Sequence, residues 1–124
     1  MLAGICIGTN DLTLAGQFYD QVLASVGMSR TKENDIEIGY ASADGRIVFW
    51  VLTPYDKQAA SNGNGTQIMF QAKTRAEVDH FHMQALSLGG ADAGAPGPRD
   101  YYPNYYGAYC RDLDGNKLHV FHRP

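Results

Sequence analysis

Cysteine is nearly absent from this chain. Cys6 and Cys110 lie near opposite ends of its 124 residues, with no C-x-x-C spacing, so a zinc knuckle is excluded and two reduced thiols in a cytoplasmic protein are expected. Long apolar runs are missing too. No stretch approaches the roughly 20 residues a transmembrane helix needs, and Met1 leads almost at once into Ile5-Cys6-Ile7 without the basic start and long apolar core of a secretory signal. Positive charge is scarce: 10 Lys and Arg are scattered along a chain of net charge −3, which gives no broad attraction for nucleic acid or an anionic membrane. What remains is globular in composition, 44% hydrophobic and 19% charged.

The chain then repeats itself. Phe18-Tyr19-Asp20-Gln21-Val22-Leu23-Ala24-Ser25-Val26-Gly27 aligns with Phe81-His82-Met83-Gln84-Ala85-Leu86-Ser87-Leu88-Gly89-Gly90 at a constant offset (81 − 18 = 63), with Phe, Gln, Leu and the last Gly coinciding. Two amphipathic helices can match by chance, but the flanks agree as well. An apolar run precedes each copy, and an Asp-Gly turn before a strand follows each one, Asp44-Gly45 and Asp114-Gly115. Units this small bury too little core alone and should pack together, with a pocket at their seam.

Ile5 to Thr9 reads as a strand whose alternation separates Ile5 and Ile7 from Cys6. Asn10-Asp11 offers a helix cap. Leu12, Ala15, Phe18, Tyr19, Val22 and Val26 recur at helical spacing, and Gly27 stops the helix. A polar link leads to a hairpin, Ile36–Ala41 and Ile47–Leu52, around Asp44-Gly45. Asn62-Gly63-Asn64-Gly65 is a turn-rich linker between modules of about residues 1–60 and 65–124. Gln67–Gln71 is the next strand. Thr74-Arg75-Ala76-Glu77 is a capping box, opening a helix with the apolar stripe Val78, Phe81, Ala85 and Leu88. A Pro/Gly-rich loop, Ala95-Pro96-Gly97-Pro98, is expected before strands Tyr106–Arg111 and Lys117–His122. In each module the helix covers one sheet face. Ile5, Ile7, Ile68 and Phe70 should lie beneath the helices, while Cys6, Gln67 and Met69 look the other way, towards a shared cup.

Gly8-Thr9-Asn10-Asp11-Leu12 with Phe18-Tyr19-Asp20, and Arg111-Asp112-Leu113-Asp114-Gly115-Asn116-Lys117-Leu118, resemble the vicinal oxygen chelate superfamily of glyoxalases, bleomycin-resistance proteins and ring-cleaving dioxygenases. Pro103-Asn104-Tyr105-Tyr106-Gly107-Ala108 is similar to a subgroup of small glyoxalase-like proteins. The resemblance implies an α+β fold of paired βαβββ modules, a homodimer, and a cup for a small organic molecule. It places the family's metal ligands at Gly4, at Phe49 or Trp50, at Gln67 and at His119. That inventory lacks a carboxylate and has one imidazole, so no metal and no other cofactor are expected.

On the same footing the cup should be lined by Gln67, His119, Tyr105, Tyr109, Arg111, Cys6 and Trp50. His119 is either a contact or acid–base group for a ligand or a satisfied wall residue. Five tyrosines between Tyr101 and Tyr109 form an aromatic lid or wall over the cup, or a dimer contact. Arg111 pairs with an anionic ligand group, or with Asp112 or Asp114. Cys6 is a small buried hydrophobe or a nucleophile. Two functions follow: a metal-independent lyase or isomerase using His119, or a non-catalytic protein that sequesters a small, antibiotic-type molecule.

Overall fold

The computed structural model describes all 124 residues. Its order is β1 (Ile5–Gly8), α1 (Leu12–Ala24), β2 (Ser29–Glu33), β3 (Glu37–Ala41), β4 (Ile47–Leu52), β5 (Gln67–Gln71), α2 (Arg75–Ser87), β6 (Ala91–Pro98), β7 (Tyr106–Arg111) and β8 (Lys117–His122). Each half is a βαβββ unit, and the whole is an α+β fold. The strands form two separate four-stranded sheets, β1-β4-β3-β2 and β5-β8-β7-β6. In each, the opening strand runs parallel to the last one and the remaining pairs are antiparallel.

The repeat is exact at its helices, which start 63 residues apart (75 − 12) and span 13 residues each. Their starts have one physical cause. Asp11 accepts a hydrogen bond from the Leu14 N–H at 3.0 Å, and Thr74 accepts one from Glu77 at 3.1 Å. The second half of the capping box is shifted by one residue: the Glu77 carboxylate takes the N–H of Lys73, not of Thr74.

Two expectations change. The polar link after α1 contains β2. The Pro/Gly-rich segment is not a loop but β6, hydrogen-bonded to β7 with register shifts at Asp92/Gly94 and Gly94/Gly97. Pro96 and Pro98 are tolerated because β6 is an edge strand with one side unpaired.

Ile7, Ile68 and Phe70 are buried beneath the helices, with Ile5 packed at the margin, while Gln67, Met69 and Gln71 are exposed on the opposite face. One core of 20 buried residues draws on both halves, and Phe49 meets Phe70 edge-on across the seam at 5.5 Å. The two sequence motifs also meet here. Tyr19 donates to the Asp112 carboxylate at 2.6 Å, which also accepts from the backbone of Asp114 and Asn116 and from the Asn116 side chain. Asp114 accepts from Thr9 Oγ1 at 2.6 Å and from the Asn10 N–H. The β7–β8 turn is thereby latched to the start of α1.

Candidate functional site

The face of the second sheet that points away from α2 is built in rows set by strand register. Gln67, Lys117 and Arg111 are cross-strand partners in the first row. Met69, His119 and Tyr109 form the second, and Gln71, Phe121 and Gly107 the third. Leu118 and Val120 alternate with these on β8, and Ala108 and Cys110 on β7, all within the core. Period-two geometry therefore presents His119 and Gln67 on the open face, with Tyr109 and Arg111 beside them.

His119 lies on that face but is only 1% exposed. Its ring is stacked on Tyr109, with centroids 4.1 Å apart, and packs beside Phe121 and Tyr105. Gly107 makes room for it, since a Cβ there would stand 2.7 Å from His119 Cε1. Nδ1 lies 2.9 Å from the Ala108 carbonyl, and Nε2 lies 2.7 Å from the Tyr105 hydroxyl. A carbonyl only accepts, so Nδ1 carries the proton and donates, and Nε2 accepts from Tyr105. Burial pushes the imidazole pKa down, with Arg99 and Lys117 adding repulsion. The ring is neutral and both nitrogens are in use. Burial also raises the Tyr105 phenol and pushes the Tyr109 phenol up to about 12.

The tyrosine segment closes over this ring. Tyr105 stacks on Phe121 at 5.2 Å, Tyr101 and Tyr102 pack against Tyr105, and Tyr101 bonds Tyr109 hydroxyl to hydroxyl at 2.9 Å. Tyr106 turns to the other face, where it donates to Asp79 of α2.

In the first sheet, Cys6 and Trp50 are register partners, and the Trp50 ring lies over Gly39. Cys6 is exposed, not buried as its small size suggested, because no element covers that face of edge strand β1. Neither cysteine is bridged. Arg111 pairs with neither Asp112 nor Asp114, whose carboxylates are taken by the latch; it donates to the Gly115 carbonyl. His122 bonds the Ala72 carbonyl and is half-buried. His82 lies against Asp92, a contact across α2 and β6 that helical spacing alone did not reveal.

The residues at the family metal positions do not fit a divalent ion. Gly4 has no ligand atom, Phe49 is buried in the core, and Trp50 has only a donor N–H. Gln67 stands in the row beside Lys117, not beside His119, whose nitrogens are both engaged. No three His, Cys, Asp or Glu side chains converge anywhere in the chain.

Residues 2–120 match the family described as Glyoxalase/Bleomycin resistance protein/Dioxygenase superfamily. A glyoxalase/bleomycin resistance protein from Albidiferax ferrireducens T118 is 35% identical, with 98% of each chain covered and a TM-score of 0.89. A family enzyme from Burkholderia phytofirmans PsJN (19% identity, 98% and 97% covered, TM-score 0.76) shares the fold. So does a lactoylglutathione lyase from Agrobacterium tumefaciens (20% identity, 98% and 92% covered, TM-score 0.67). No curated protein matches the chain.

Proposed function

The chain belongs to the glyoxalase/bleomycin resistance protein/dioxygenase superfamily, and within it we propose a non-catalytic protein that binds and sequesters a small organic molecule on the open face of its second sheet. One observation carries this reading. His119, the sole imidazole in the aromatic stack, is enclosed by Tyr105, Tyr109 and Phe121 with both nitrogens hydrogen-bonded. The neighbouring phenols are held protonated by burial. The face offers aromatic planes and cations for contact, but no free group poised to move a proton near neutral pH.

The second reading, a metal-independent lyase or isomerase, has one observation in its favour: the short Tyr105–His119 hydrogen bond is a path by which His119 takes a proton through Tyr105. The two readings separate on turnover. The chain is incubated with a panel of small carbonyl compounds and aromatic acids while binding is followed by NMR and products by mass spectrometry. Binding without product is expected. Product formation abolished by His119→Ala overturns sequestration in favour of catalysis. The working unit is proposed to be a homodimer, and the exposed free thiol of Cys6 suits a reducing cytoplasm.

A further inference from the structure

We infer that the first row of the open face, Gln67, Lys117 and Arg111, is an anion-binding site, and that the molecule taken up carries a carboxylate or phosphate on a flat unsaturated body. The inference rests on the reading of this face as a ligand site and names the chemistry it takes.

Lys117 and Arg111 are direct cross-strand partners on one face. Like charges so placed repel, and a sheet ordinarily avoids them or sets a carboxylate between them. Here none is available. Neither residue belongs to any of the chain's ion pairs. The nearest acids in sequence, Asp112 and Asp114, are bound to Tyr19, Asn116, Thr9 and Asn10. Arg111 spends one N–H on the Gly115 carbonyl, and the rest of its fork is free. Two uncompensated cations thus stand together on a chain whose net charge is −3.

They also share a built hollow. The linker Asn62–Thr66 with Gln67, Arg111 and Lys117 encloses about 460 Å³, and no acidic side chain lines it. The linker wall is tied down by Asn62, which donates to the Asp114 carbonyl at 3.1 Å. Gly115 permits that approach twice over. Its φ of +86° disfavours any side chain, and a Cβ would stand 2.5 Å from Asn62 Nδ2. Gln67 adds an amide to the same wall. An Arg fork beside an ammonium suits a bidentate oxyanion.

The second row supplies the other half of the specificity. Lys117 Nζ lies 5.0 Å over the Tyr109 ring, and that ring backs on His119. A ligand anchored by its oxyanion at Lys117 and Arg111 meets the aromatic cluster one row further along β7 and β8. Because His119 stacks on the Tyr109 ring and Lys117 and Arg99 lie over it, a flat ring packs there edge-on.

The test is an NMR titration of the full, isotope-labelled chain with naphthoate, naphthyl phosphate and neutral naphthamide. The better anion is expected to bind about tenfold or more tighter than the amide, with shifts centred on Gln67, Tyr109 and Lys117. Whether the carboxylate or the phosphate binds more tightly identifies the oxyanion. Lys117→Gln and Arg111→Gln should each weaken the anion by about fivefold or more and leave naphthamide unchanged. Both side chains reach solvent, and the repulsion relieved offsets the lost Arg111–Gly115 hydrogen bond or Lys117–Tyr109 contact, so melting temperatures should hold. Equal affinity for anion and amide overturns the anion site alone. Absence of binding by all three probes up to millimolar concentration overturns the ligand face with it.

Discussion

Burial fixes the protonation state of His119, and stability should report it. The groups facing the ring are Tyr105, Tyr109, Lys117 and Arg99, none of them a carboxylate. The folded pKa lies below the ordinary 6.5, so between the two values the unfolded chain binds more protons than the folded one. Stability therefore rises with pH across that window and is lost as pH falls through it. Urea midpoints should drop as pH is lowered from 7 past 6.5, and His119→Gln should flatten that limb. The Asp44 and Asp92 carboxylates, both held below 3.8, act in a lower window and leave it untouched. Equal slopes in both proteins would refute the buried-neutral assignment. The face of His119 was legible in the sequence because β8 alternates strictly. The tyrosine segment was legible as a lid or wall; the direct bond of Tyr105 to the ring was not, since Tyr105 reaches it from a turn with no periodicity. A signal did exist: Gly107 inside a strand marks a close approach, here of the imidazole.

At the scale of elements, the helices were legible from both caps and spacing, while β2 and β6 were not. Ser29–Glu33 is polar, and Ala91–Pro98 is rich in Gly and Pro, so neither carries an apolar alternation. Both are edge strands made by pairing with a stronger neighbour, β3 or β7. Tertiary context, not local propensity, creates them. The latch was visible only as a motif; its structural role emerged from the contacts of Tyr19 and Thr9. Tyr19→Phe leaves a buried carboxylate oxygen one donor short and should cost about 1–3 kcal/mol. Asp112→Ala strands several donors at once and should cost more, about 3–5 kcal/mol. In a double-mutant cycle by urea denaturation the two should couple by about 0.5–3 kcal/mol. Strict additivity would show that Tyr19 and Asp112 do not act as one latch.

At the scale of the whole molecule, the four sheet edges are not equivalent. β6 is blunted by Pro96, Pro98 and its register shifts, and β2 carries Arg30, Lys32 and Glu33. Both devices deter pairing with another chain. β1 and β5 have no charge at all in ICIG and QIMFQ. They flank an apolar groove of about 330 Å³ lined by Leu2, Ile5, Val48, Ile68 and Met69 among others, and Leu2 is 76% and Met69 53% exposed. Undefended edges beside uncovered apolar surface fit a second copy of the chain, and two-fold closure covers both at once. Light scattering at micromolar concentration should give twice the chain mass of 13.6 kDa. Met69→Glu should return the single-chain mass with an unchanged circular dichroism spectrum, whereas Thr31→Glu on the guarded β2 edge should leave the dimer intact. A wild-type mass of one chain, or a dimer indifferent to Met69→Glu, would remove the groove as the contact. Because Met69 is also the register partner of His119, the same variant shows whether closing the dimer walls one side of the ligand face: affinity for neutral naphthamide, which the new carboxylate does not repel, should fall together with the mass.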